Sequence, residues 1–147
     1  MQNNDRIAQI LIIAGALLFL IGLLSGFATP EMTNPRMGLA AHLEGVMNGM
    51  FLAVVGLVWS RVSLSNRLST LTFWSLLYGT FANWFFISLA AIFGTIAMTP
   101  IAGAGHAGTP WQENLIAAGL MSVGLSMVLG CALLVLGLFR RLSAPRQ

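Results

Sequence analysis

Three polar side chains lie close together in an otherwise apolar stretch: His42, Glu44 and Asn48. A polar or ionisable side chain within a membrane-length segment is costly, and such residues commonly mark functional sites. A neutral imidazole can ligate a metal, a carboxylate can take up and return a proton, and an amide can bind a polar group of a substrate. We therefore treat this cluster as the candidate site.

Helical geometry separates these three residues into two groups. At about 100° per residue, Glu44 and Asn48 share a face, whereas His42 lies about 120° from Asn48. His42 is beside a stripe of small residues that includes Gly45 and Gly49. Such a stripe permits the close approach of another helix or of a flat ligand. Two interpretations follow: helix packing alone, or a planar cofactor lying against Gly45 and Gly49 with His42 reaching its metal.

A later apolar segment, near residue 80, has two different faces. Aromatic side chains recur along one face, which is typical of contact with lipid or with a neighbouring subunit. They are Trp74, Tyr78, Phe81 and Phe85. Asn83, the segment's only amide, lies on the opposite face among small residues. It either bonds to another helix or lines a polar pocket.

The elements that position these side chains are apolar helices. Of the 147 residues, 57% are hydrophobic and 7% charged, with a mean hydropathy of +0.85. This composition excludes a disordered chain, and a single cysteine excludes a cystine-rich one. Since a span needs about 20 apolar residues, we expect an all-α integral membrane four-helix bundle in one domain, 1–147. The predicted spans are about 7–27, 35–60, 69–98 and 110–139.

Helix starts and charges support this organisation. Asn34 is a predicted N-cap before Pro35, and Thr109 and Gln112 form a predicted capping box around Pro110. Six of the seven arginines fall at one set of helix ends, which the positive-inside rule places in the cytosol together with both termini. These are Arg6, Arg61, Arg67, Arg140, Arg141 and Arg146. The arginines form no basic face, so we expect no nucleic acid as a partner. The expected partner is a lipid bilayer, and the expected location is the cell (inner) membrane.

Several short motifs together resemble the hydroxylaminobenzene mutases. They are Ala41-His42-Leu43-Glu44-Gly45-Val46-Met47-Asn48-Gly49-Met50, Leu77-Tyr78-Gly79 with Ala82-Asn83-Trp84, Thr99-Pro100-Ile101-Ala102-Gly103-Ala104-Gly105, and Trp111-Gln112-Glu113. The resemblance spans about 33–136. A more distant resemblance, through Ala41-His42 and Asn48-Gly49-Met50, is to styrene oxide isomerase.

The resemblance implies an isomerase that converts hydroxylaminobenzene to 2-aminophenol by intramolecular hydroxyl transfer. Styrene oxide isomerase is a trimeric haem b protein, so His42 becomes the axial ligand of a haem iron acting as a Lewis acid. Asn48 becomes a pocket residue, and the haem lies near the subunit interfaces of a homotrimer. Glu44 is assigned to proton handling on the substrate, and Asn83 to a contact with Asn48 across the bundle.

Three other functions remain open. An epoxide isomerase would use the same Lewis-acid chemistry on a different oxygen. A small multidrug-type proton antiporter would depend on Glu44 and would contain no haem. An electron-transfer or structural haem subunit would need a second axial ligand, and His106 is the only other histidine.

Overall fold

The computed structural model describes residues 2–143, with side chains from residue 4, so that Arg146 lies outside the described residues. The helices are α1 (Gln2–Ala28), α2 (Pro35–Val58), α3 (Asn66–Phe93), α4 (Pro100–Gly103) and α5 (Pro110–Leu142). All except the one-turn α4 are long and apolar enough to cross a membrane. No strand occurs in the described range. The predicted all-α class with four long apolar helices is confirmed.

The helix starts are stabilised by the residues that the sequence indicates. The Asn34 side chain accepts a hydrogen bond of 3.1 Å from the Met37 backbone N–H, and Pro35 is the first residue of α2. At the start of α5, the Thr109 backbone N–H donates to Gln112 Oε1 at 2.8 Å. Both bonds satisfy groups that a helix end otherwise leaves without a partner.

The third span differs most from its predicted bounds of 69–98. The helix α3 ends at Phe93, because Gly94 adopts a left-handed conformation with φ +71°. The backbone N–H groups of Gly94 and Thr95 both donate to the Ala90 carbonyl, which terminates the helix. Since the apolar run continues to Met98, hydropathy alone extends the span too far.

Within one chain, the long helices pack in the order α1, α2, α3, α5. The largest contact is between α1 and α2, and α3 contacts both α2 and α5. In the described part of the chain, α5 does not come close to α1 or α2. The four helices of the predicted bundle therefore form an open row in a single copy.

Glycines bring α1 and α2 into backbone contact. A Cβ built on Gly45 would lie 2.5 Å from the Cα of Gly22, and one built on Gly15 would lie 2.6 Å from the Gly49 carbonyl oxygen. These distances are well below an ordinary carbon contact of about 3.5–4.0 Å. The small-residue stripe of α2 is thus used for helix packing.

Candidate active site

A polar cluster joins α2 to α3. Asn83 Nδ2 donates to Glu44 Oε2 at 2.6 Å, and Asn48 Nδ2 donates to the same oxygen at 3.3 Å. Asn48 Nδ2 also lies 3.5 Å from the Thr80 carbonyl oxygen. All three side chains are half-buried. The structure therefore brings together the three residues that we predicted to be catalytic.

The local sequence explains how this cluster forms. Glu44 and Asn48 are four residues apart in α2 and so share the face directed at α3. Asn83 meets them from the small-residue face of α3. Among the described residues no ion pair is formed, and the carboxylate is held by amide N–H groups, which supply hydrogen bonds without a neutralising charge.

His42 points to a different neighbour, the helix α1. Its Nδ1 lies 2.8 Å from the Gly22 carbonyl oxygen, and a Cβ built on Gly26 would lie 2.8 Å from the same nitrogen. Because a carbonyl only accepts, Nδ1 carries a hydrogen, and in the neutral imidazole Nε2 is then the nitrogen with the lone pair. The structure thus identifies the tautomer-fixing partner, which the sequence did not indicate.

Two further side chains support this arrangement. Ser25 Oγ donates to the same Gly22 carbonyl at 2.7 Å, and Trp84 Nε1 donates to Ser25 Oγ at 3.5 Å. A chain of hydrogen bonds therefore connects α3, through α1, to His42. Sequence reasoning did not assign roles to Ser25 or Gly22. The only available signal was a polar residue near the end of an apolar helix.

The predicted site residues fall on opposite flanks of α2. His42 and Glu44 are about 160° apart around the helix axis, with α1 on one side and α3 on the other. Leu43 and Met47, on the face between them, are exposed. One chain thus does not bring His42 together with the carboxylate cluster.

Gly45 and Gly49 lie in the contact with α1. A Cβ on either residue would meet α1 backbone atoms, and Trp84 Cδ1 also lies 2.9 Å from the position of a Gly45 Cβ. The planar-cofactor interpretation required an open space beside these glycines. The backbone of α1 occupies that space, so their placement corresponds to the helix-packing interpretation.

The loop between α3 and α5 contains His106. It packs beside Gly94, which in turn lies beside Thr33 just before α2. Since His42 is eight residues beyond Asn34, it lies about 12 Å farther along the α2 axis. His106 and His42 thus occupy different depths in one chain. The Glu113 carboxylate holds this loop by accepting hydrogen bonds from the backbone N–H groups of Ile96, Ala97 and Gly108.

Comparison with known proteins places this arrangement in a family. The family model for styrene oxide isomerase matches residues 7–139. The chain belongs to the styrene oxide isomerase family. The family resemblance inferred from the motifs is confirmed.

Two curated relatives match this chain in sequence over most of its length. Hydroxylaminobenzene mutase HabB of Ectopseudomonas oleovorans is 50% identical over 93% of this chain and 84% of its own length. Hydroxylaminobenzene mutase HabA of the same organism is 41% identical over 86% of this chain and 95% of its own length. No solved structure gives a significant match.

In this styrene oxide isomerase family member, His42 is the side chain of the candidate site that could serve as a metal ligand. Among the described residues, no group of three or more His, Cys, Asp or Glu side chains could together hold a metal ion. A haem iron takes four ligands from the porphyrin and needs one imidazole from the protein. His42 is half-buried and its Nδ1 contacts the Gly22 carbonyl, so its Nε2 is the ring nitrogen that could supply this ligand.

The aromatic face of α3 is exposed at three of its four residues, whereas Phe81 packs against the buried core of the chain. Trp74, Tyr78 and Phe85 are exposed, and an open surface groove is lined by Trp74, Leu77, Tyr78 and Phe81. Tyr78 Oη lies 2.6 Å from Ser122 Oγ, which joins this face to α5. An exposed apolar face of this kind suits lipid or a second subunit.

Proposed function

We propose that this protein is a membrane isomerase that rearranges hydroxylaminobenzene, an aromatic hydroxylamine derived from a nitroarene, to 2-aminophenol. The observation that carries the proposal is the Glu44, Asn48 and Asn83 cluster, which places a carboxylate and two amides together between apolar helices. The two relatives named as mutases, which match this chain over most of its length, support the choice of substrate.

The reaction is an isomerisation and has a simple proton balance. The N–O bond breaks, a C–O bond forms at the adjacent ring carbon, that carbon loses a proton and the nitrogen gains one. No electrons enter or leave. One group that takes up a proton and returns it is therefore sufficient.

Glu44 is the group that we assign to this proton transfer. Both amides donate to its Oε2. Its Oε1 has no hydrogen-bond donor within residues 4–143, and is therefore available to the substrate. The NH₂ groups of Asn48 and Asn83 face the carboxylate, and their amide oxygens accept hydrogen bonds from the N–H and O–H groups of the hydroxylamine. Glu44 thus exchanges protons with a substrate that the two amides orient.

The surroundings of the cluster favour intramolecular transfer. Exposed apolar side chains, among them Leu43 and Met47, flank Glu44 on the outer face of α2. A substrate ring lying against them excludes water, which would otherwise compete for the electron-poor ring. Exclusion of water also strengthens the electrostatic interactions in the site.

Haem b is the cofactor that we propose, held by Nε2 of His42. When bound, it supplies a Lewis acid that favours heterolysis of the N–O bond. The Gly22 carbonyl orients the imidazole for this role, as partners of a metal-ligating histidine commonly do. His42 and Glu44 lie on opposite flanks of α2, so one chain leaves them apart. The resemblance to styrene oxide isomerase implies a homotrimer with haem near the subunit interfaces, and we include that assembly in the proposal. A second copy would then complete the site.

We also propose the cell (inner) membrane as the location, with both termini in the cytosol. The arginines in the first turns of α1, at the junction of α2 and α3, and at the end of α5 support this orientation under the positive-inside rule. The candidate site then lies in the non-cytosolic half of α2, about 14 Å along the helix from Pro35 to Glu44.

The test uses the full chain purified in detergent. The protein is incubated with hydroxylaminobenzene and, separately, with styrene oxide, and the products are separated by liquid chromatography. We expect 2-aminophenol from the first substrate, with a higher kcat/KM than for the second. Conversion of styrene oxide to an aldehyde without any 2-aminophenol would instead establish an epoxide isomerase.

A further inference from the structure

The two amides of the candidate site direct the same end toward Glu44. While Glu44 is ionised its oxygens only accept, so Asn48 and Asn83 present their NH₂ groups to Oε2. The Thr80 carbonyl, also an acceptor, lies on the same side of the Asn48 amide at 3.5 Å. The carbonyl oxygens Oδ1 of both asparagines therefore point away from Glu44.

Within residues 4–143, no hydrogen bond reaches Oδ1 of Asn48 or Asn83. Neither oxygen is sealed in the interior, since the one buried side-chain polar atom without a partner in that range is Thr95 Oγ1. The cluster thus presents two accessible acceptors.

We propose that Glu44 is a specificity-determining positioning residue, which sets both amides to accept hydrogen bonds and so selects substrates that donate them. This inference rests on the proposed function. A hydroxylamine –NH–OH group carries two adjacent donors, one for each amide oxygen. An epoxide carries only an acceptor oxygen, which would face the two carbonyls unpaired. The site therefore favours N-arylhydroxylamines over epoxides of similar size.

This role is separate from proton transfer by Glu44. Orientation of the amides needs only an acceptor atom at Oε2, which a glutamine also provides. Proton transfer needs the ionisable carboxylate. Glu44→Gln should therefore retain the preference for donors and lose turnover, whereas Glu44→Met, of similar length but without an acceptor, should lose both.

The experiment measures equilibrium binding of two unreactive aromatic ligands to the full chain in detergent. Benzyl alcohol donates an O–H, and benzyl methyl ether has only an acceptor oxygen. Dissociation constants are measured by isothermal titration calorimetry for the wild type, Glu44→Met and Glu44→Gln. Glu31→Gln, which changes an exposed carboxylate outside the cluster, is the matched control.

The wild type should bind the alcohol about 10-fold or more tightly than the ether, since a site built to pair a substrate O–H rejects the analogue that lacks it. Glu44→Met should reduce this ratio at least about threefold, Glu44→Gln should restore most of it, and Glu31→Gln should leave it unchanged. If Glu44→Met does not purify as a folded protein, Asn83→Ala, which removes one of the two acceptors, should reduce the ratio in the same direction.

Equal binding of the two ligands by the wild type would overturn the inference, as would an unchanged ratio in the folded Glu44→Met or Asn83→Ala variant. The proposed function fails differently. A protein that prefers the donor but forms no 2-aminophenol retains the inferred specificity and loses the proposed reaction. A protein that forms 2-aminophenol without this preference retains the reaction and refutes the role of Glu44 in specificity.

Discussion

Replacement of Gly45 by alanine should separate α1 from α2 and displace the partner of His42. A Cβ at this position would lie 2.5 Å from Gly22 Cα and 2.9 Å from Trp84 Cδ1. Carbon atoms in contact are usually about 3.5–4.0 Å apart. The backbone of α1 must therefore move by about 1 Å, because a backbone atom cannot rotate away as the end of a flexible side chain can.

The size of the effect follows from this displacement. If the Gly22 carbonyl moves with α1, its distance of 2.8 Å from His42 Nδ1 grows beyond hydrogen-bond range. Overpacking costs about 1–3 kcal/mol and the lost hydrogen bond about 1 kcal/mol. The higher helix propensity of alanine offsets about 1 kcal/mol. The free energy of unfolding should fall by about 1–3 kcal/mol.

The assay is reversible unfolding in mixed micelles, followed by circular dichroism, alongside the rate of 2-aminophenol formation. Gly124→Ala is the matched control, because a Cβ on Gly124 meets no atom within 4 Å. It should leave stability and rate unchanged or raise stability slightly. Equal stability and equal rate for Gly45→Ala, Gly124→Ala and the wild type would refute the claim that α1 positions His42 through glycine contact.

Further variants test the remaining parts of the account. His42→Ala should abolish the haem absorption band of the purified protein, whereas Asn48→Ala should keep the band and lose turnover; an unchanged spectrum in His42→Ala would remove the ligand assignment. Glu113→Ala should lower the free energy of unfolding by about 1–3 kcal/mol, because three backbone N–H groups lose their acceptor, and thermal unfolding would detect this. In a cysteine-free background, an impermeant maleimide should label Ala107→Cys from outside the cell and Ser63→Cys only after lysis; the reverse pattern would invert the proposed topology.

Much of the fold is predictable from the sequence, for identifiable physical reasons. Hydropathy and length determine the number of long helices. The caps of α2 and α5 use local residue patterns that act over three or four positions, so Asn34 and Thr109 mark helix starts correctly. The end of α3 was missed because it depends on the conformation of Gly94, and the surrounding residues remain apolar.

The candidate site is likewise predictable from the sequence only in part. Glu44 and Asn48 share a face by helix periodicity, and Asn83 is the only amide in the middle of α3, so their meeting could be anticipated. The hydrogen-bond partner of His42 could not be anticipated. It is a backbone carbonyl at Gly22, and every residue has such a group, so no side-chain pattern distinguishes it before the packing of α1 on α2 is known.

The proposed hydroxyl transfer is tested most directly by isotope labelling. Hydroxylaminobenzene carrying oxygen-18 in its hydroxyl group is converted by the purified protein in unlabelled water, and the 2-aminophenol is analysed by mass spectrometry. Intramolecular transfer in a water-excluding site predicts that the label is retained in the product. A product whose hydroxyl oxygen comes from the solvent would contradict the account.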